Sequence, residues 1–89
     1  MVGWTVKFTT QAVKDAGSLK RIRLDERAKG IIAIMEEDPF GKPPPFEKLK
    51  GDLKGKYSRR INGQHRLVYS IDSKSRTVIV FAMYSHYES

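Results

Sequence analysis

Residues 76–84, RTVIVFAMY, form the most apolar run in the chain. A run of that length is expected to be a central strand covered on much of both faces. It follows a turn sequence, Asp72-Ser73-Lys74-Ser75. Before that turn, residues 65–71, HRLVYSI, read as a second strand, and residues 57–61 as a third. Asn62-Gly63 between those two predicts a two-residue hairpin, because both residue types tolerate positive φ. Three successive antiparallel strands need a layer of other elements to bury one face.

The N-terminal half supplies that layer. Val2, Trp4, Val6 and Phe8 alternate with Gly3, Thr5 and Lys7, so residues 2–8 read as a half-buried strand that joins the sheet. Thr9 or Thr10 can cap a following helix, since a threonine oxygen accepts from an orphan backbone N–H. That helix is expected to run to about residue 19, with Gly17 weakening or bending it. A second helix fits 22–37, where Ile22, Ala28, Ile31, Ile32 and Met35 form an apolar stripe with Leu24 at its edge. Asp38-Pro39 ends it, because a residue before proline is pushed out of the α region. Residues 39–46, PFGKPPPF, have neither period and read as a stiff connector. Glu47-Lys48-Leu49-Lys50 follows as one turn or a short strand. The expected fold is a single α+β domain over 1–89, two N-terminal helices packed on one face of an antiparallel sheet of about four strands.

Composition narrows the chemistry. The chain has 89 residues, no cysteine and two histidines. Thiolate nucleophiles, disulfides and cysteine metal sites are excluded, and a histidine-rich metal centre is not expected. The N-terminal sequence lacks the pattern of a signal peptide, and no apolar run approaches the ~18 residues of a spanning helix. These features fit a cytoplasmic protein without a membrane partner. The formal net charge of +7 is concentrated: residues 42–66 carry eight basic residues against Glu47 and Asp52, while 67–89 are neutral. A patch of that density suits a polyanion, because each phosphate contact releases condensed counterions. Lys54 and Lys56 have two readings, contacts to RNA or a solvated surface.

Strand alternation places Leu67, Tyr69 and Ile71 on one face and Arg66, Val68 and Ser70 on the other. With helices over the first face, Arg66 points out of the open one. Arg59 and Arg60 fall on opposite faces, so only one can share that surface unless a bulge intervenes. Cutting RNA through its own 2′-hydroxyl needs a base, an acid for the leaving 5′-oxygen, and a cation for the charge gathering on phosphorus. Glu47, His86 and Arg66 supply those residue types, with Tyr87 positioned to hold the phosphate or share the acid role. A histidine suits the acid role because its ordinary pKa, about 6.5, lies near working pH. A glutamate is a weak base unless its surroundings raise its pKa. His65, with core-face parity, reads as structural.

Three motifs at fixed separations carry a resemblance: Tyr57-Ser58-Arg59-Arg60-Ile61, then His65-Arg66-Leu67-Val68-Tyr69, then His86-Tyr87. Together with Pro39-Phe40, the proline stretch, Glu47-Lys48-Leu49-Lys50 and Leu53, they closely resemble the YoeB/Txe family of toxins within the RelE superfamily. The match spans about residues 39–87, and the helical half agrees only in layout. The resemblance implies a curved sheet under two helices. It implies a ribosome-dependent endoribonuclease that cuts mRNA in the bacterial ribosomal A site without a metal or other cofactor. It assigns Glu47 as general base, Arg66 as phosphate-stabilising arginine, His86 as general acid and Tyr87 as its companion. Lys50, Arg59 and Arg60 match basic positions expected to hold mRNA or ribosomal RNA. The implied partner is an antitoxin whose C-terminal segment folds over the toxin, and some members form homodimers.

The sequence departs from the family pattern at several points. Tyr57 stands where tryptophan is common, Gln64 where an acid is common, Ser85 where glycine or tyrosine is frequent, and Glu88-Ser89 extend the usual end. None removes a proposed catalytic group. Rival readings are a non-catalytic RNA- or ribosome-binding module, a gyrase-poisoning toxin of the same superfold, and an inactive relic. Glu47 counts against the first, since a carboxylate is a liability on a pure phosphate-binding surface. The joint presence of Glu47, Arg66 and His86-Tyr87 counts against the second.

Overall fold

The computed structural model describes residues 3–41 and 45–83. In chain order these form strand β1 (Thr5–Phe8), helices α1 (Thr10–Arg21) and α2 (Asp25–Glu37), and strands β2 (Phe46–Lys48), β3 (Tyr57–Arg60), β4 (Arg66–Asp72) and β5 (Thr77–Ala82). The five strands make one sheet in the order β1-β5-β4-β3-β2. Both helices pack on one face of it. Their buried residues Ala12, Leu19, Ala28, Ile31 and Met35 meet Leu67, Tyr69, Val78 and Val80 in a single core.

The expected sheet of about four strands is therefore five. Residues 46–48, the end of the expected connector and the start of the 47–50 segment, form a short strand, and the expected antiparallel sheet is mixed. β1 runs parallel to β5, in register from Thr5 with Thr77 to Phe8 with Val80. Period-two alternation is the same for parallel and antiparallel pairing, so direction is not encoded in it.

The helix boundaries follow local chemistry. Thr9 caps α1, its Oγ1 accepting from the Ala12 N–H at 3.2 Å. Gly17 does not end the helix, which continues to Arg21. Arg23 then adopts φ 60°, with its N–H donating to Lys20 O at 3.2 Å and the Leu24 N–H to Leu19 O at 2.9 Å. This pair of bonds is a Schellman closure, with Leu24 and Leu19 both against the core. It breaks the expected 22–37 helix at its start, so α2 begins at Asp25. Ile22, expected in the buried stripe, is exposed.

The 62–63 hairpin exists but its turn differs from the expectation. Positive φ occurs at Arg23, Arg76, Gly51 and Gly55, not at Asn62 or Gly63. Instead Asn62 Oδ1 accepts from the N–H groups of Gln64 (2.8 Å) and His65 (2.7 Å). The connection is a longer loop closed by an asparagine side chain, the other turn chemistry open to this residue. His65 is buried at the base of this loop, as its parity implied.

A bulge ends β5. Val68 pairs with Ala82 but Tyr69 pairs with Val80, which leaves Phe81 as the extra residue. The loosened backbone there is tied to α1. Thr9 Oγ1 donates to Phe81 O at 3.1 Å, and the Met83 N–H donates to Asp15 Oδ2 at 3.0 Å. Asp15 is itself buried and accepts from Gln11 Nε2 at 2.9 Å. Replacing Asp15 with alanine orphans a buried N–H, a cost of about 1–3 kcal/mol. Asp15→Ala is expected to lower the melting temperature by roughly 4–8 °C per kcal/mol lost. Asp15→Asn is expected to lose much less, because its amide keeps one oxygen for Met83 and Gln11 can turn its own oxygen to the new NH₂. Thermal unfolding of the two variants measures this, and equal melting of both would refute it.

Candidate active site

Cross-strand partners share a face, so the register defines what stands on the side away from the helices. One row runs Glu47 on β2, Ser58 on β3, Val68 on β4 and Ala82 on β5. The next row pairs Arg60 with Arg66. Ser58, Val68 and Ala82 are short and buried, and they make a floor. Glu47, Arg60 and Arg66 are exposed above it. Glu47 and Arg66 are two strands apart, about 10 Å, and offset by two residues, about 7 Å. A separation of that size is wide enough for a phosphodiester to lie between the two side chains.

More charge rims this face. Lys56 precedes β3, and its Nζ lies 4.8 Å from the centre of the Phe81 ring, a cation–π distance. The bulge thus presents an aromatic ring that holds a lysine. Lys50 and Lys54 are exposed on the β2–β3 connection. That loop reverses through a 3-10 turn, Gly51–Leu53, with Gly51 at φ 67° and Gly55 at φ 92°, conformations that favour glycine.

Arg59 departs from its expected role. The family resemblance places it among the RNA-holding cations, but it is 1% exposed and faces the core. Its Nε donates to the Tyr69 hydroxyl at 2.9 Å, one terminal nitrogen to Gly41 O at 2.7 Å and the other to Pro39 O at 2.6 Å. A guanidinium committed to three internal acceptors does not reach RNA. Strand parity had already separated Arg59 from Arg60, and the helices decide which of them is buried. Burial pushes the Tyr69 hydroxyl above its ordinary pKa of 10.0, and the hydrogen bond and charge of Arg59 pull it part of the way back. Tyr69 is a neutral phenol at physiological pH and serves as an acceptor for the arginine.

His86 and Tyr87 lie outside the described residues. The described part of β5 ends opposite Val68, two residues from Arg66 along β4. Among the described residues, no group of three or more histidine, aspartate or glutamate side chains is placed to hold a metal ion. Sequence reasoning overlooked Asp15. Its signal was an acid at the i+3 position from Ala12 and i−4 from Leu19, on the stripe that faces the core.

The family profile described as the YoeB-like toxin of bacterial type II toxin-antitoxin systems matches residues 8–87. The chain belongs to this family. A toxin YoeB from Synechocystis sp. is 42% identical over 77 residues, covering 83% of this chain and 77% of that protein. Among solved structures, a YoeB/ParE toxin from Agrobacterium tumefaciens superposes with a TM-score of 0.82 at 29% identity, covering 93% of this chain and 99% of that one. The Staphylococcus aureus YoeB has been solved in a YoeB–YefM complex (TM-score 0.79, 27% identity, 96% and 99% covered) and as a dimer (0.78, 28%, 94% and 98%). The two-helix layer and the mixed sheet are thus those of YoeB-like toxins. Among the described residues, no helix of this toxin is long and apolar enough to cross a membrane.

Proposed function

We propose that this YoeB-like toxin is a ribosome-dependent endoribonuclease that cuts mRNA in the A site and so stops translation in the bacterial cytoplasm. The observation that carries this reading is the strand register that sets Glu47 and Arg66 on one helix-free face, with Arg60 and Lys56 beside them. Glu47 takes the proton of the ribose 2′-hydroxyl. The freed oxygen attacks the adjacent phosphorus, and Arg66 stabilises the added negative charge on the non-bridging oxygens. The bond from phosphorus to the 5′-oxygen breaks, and His86 gives that oxygen its proton, with Tyr87 holding the phosphate. The products are a 2′,3′-cyclic phosphate and a 5′-hydroxyl. No step requires a metal. Lys50, Lys54, Lys56 and Arg60 hold the nucleic-acid backbones by charge.

A cognate antitoxin completes the system. The S. aureus relative is solved with YefM, which supports a partner that covers this toxin, and its dimer supports self-association. The test is a cell-free translation reaction with purified toxin, followed by mapping of mRNA 5′ ends. Cuts are expected near the A-site codon and only when ribosomes are present. Intact mRNA on translating ribosomes would overturn the reading, and damaged DNA without mRNA cuts would move it to gyrase.

A further inference from the structure

The strand that carries Glu47 is too weak to aim it unaided. Among the described residues, β2 has three residues, lies at the edge of the sheet and pairs with β3 alone. It follows a proline-rich connector that has few backbone donors to fasten it. Glu47 nonetheless has to face the open side within a fraction of an ångström to act on a 2′-hydroxyl.

We propose that Arg59 is the positioning residue that aims Glu47. The proposal rests on Glu47 being the base. Arg59 is the register partner of Phe46, the residue directly before Glu47, and its Cζ lies 5.3 Å from the centre of the Phe46 ring. The same guanidinium donates to Pro39 O and Gly41 O, where the connector begins. One side chain therefore grips the connector at its start and packs on the residue at its end. Its third arm, the bond to Tyr69, fixes the guanidinium to the central strand β4. A chain of ring contacts walls this arrangement: Phe40 to Phe46 at 6.2 Å, Phe46 to Tyr57 at 5.7 Å and Tyr57 to Tyr69 at 5.8 Å. Alternation does the rest. With Phe46 held inward, Glu47 must project outward.

Only arginine fits this task. Its planar fork serves three acceptors in three directions, whereas a lysine concentrates its donors at one point and cannot reach both carbonyls and the hydroxyl together. The residue next to it, Arg60, projects from the other face and does the work of a cation toward RNA. Two adjacent arginines thus divide into one that organises the site and one that meets the substrate.

The test is a double-mutant cycle in the ribosome-dependent cutting assay, read under single-turnover conditions with toxin in excess. Arg59→Lys is expected to lower kcat about 100-fold, the cost of a misplacement near 1 Å. KM for programmed ribosomes should stay within about twofold, because no substrate contact is lost. In a Glu47→Ala background the same substitution should change the residual rate by less than about threefold, since there is no carboxylate left to aim. Tyr69→Phe keeps the ring and loses one anchor, and about a tenfold loss with the same non-additivity is expected. This second variant decides the matter if Arg59→Lys fails to fold in thermal unfolding. Wild-type kcat in the folded variants, a rise in KM alone, or a loss that persists in full in the Glu47→Ala background would each overturn the proposal. Wild-type cutting by Glu47→Ala itself would instead show that the base was misassigned.

Discussion

Glu47→Ala toxin is expected to fold like the wild type and to leave ribosome-bound mRNA nearly intact. Glu47 is exposed on the edge strand and takes no part in the core, so its removal costs little stability. Its expected share of the rate is that of a general base, about 10²–10⁴-fold. His86→Ala is expected to lose a similar factor, because protonation of the leaving oxygen, the role proposed for His86, is the complementary half of the proposed reaction. The measurement is the single-turnover rate of A-site cleavage, with circular dichroism melting as the control for folding. A rate within threefold of wild type in either variant would mean that its role belongs to another residue. Loss of cutting together with loss of the folded signal would show a structural residue instead. For Glu47 the exposed position argues against that outcome.

Much of this site was legible in the chain because strand parity is strict. Alternation alone put Leu67 and Tyr69 opposite Arg66 and Val68, and the observed burial follows that division except that Val68 is also covered. It also required that Arg59 and Arg60 part company. What it could not supply was the third dimension. The pattern YSRRI does not say which arginine lies under the helices, and only the packing of α1 and α2 settles that. The bulge at Phe81 was equally hidden, since the side chains bonded to its backbone, Thr9 and Asp15, lie some seventy residues earlier. Asn62-Gly63 marked the right place for a reversal but the wrong turn, because an asparagine side chain can close a loop as well as occupy positive φ. The short β2 strand was undecidable from FEK alone, as three residues carry no period. It exists through its antiparallel pairing with β3.

Arg66 and Arg60 should separate chemistry from binding. They are direct cross-strand partners on the open face, two positive charges side by side. Like charges placed opposite each other on a sheet are destabilising, so the pair is held at some cost to the fold. Removing either is expected to raise the melting temperature by a few degrees. The activities should diverge. Arg66→Ala removes the group proposed to meet the negative charge on phosphorus and is expected to lower kcat about 10²–10³-fold. Arg60→Ala removes a proposed contact to the nucleic-acid backbone. It should weaken ribosome and mRNA binding, reduce the salt dependence of that binding by about one unit, and leave kcat at saturation near wild type. Salt titrations of KM alongside single-turnover kcat distinguish the two. If Arg60→Ala collapses kcat while Arg66→Ala shifts only KM, the roles are exchanged, and the phosphate sits one strand nearer to Glu47. If both variants melt below the wild type, the two arginines are held by contacts that outweigh their repulsion, and stability and activity are not in conflict on this face.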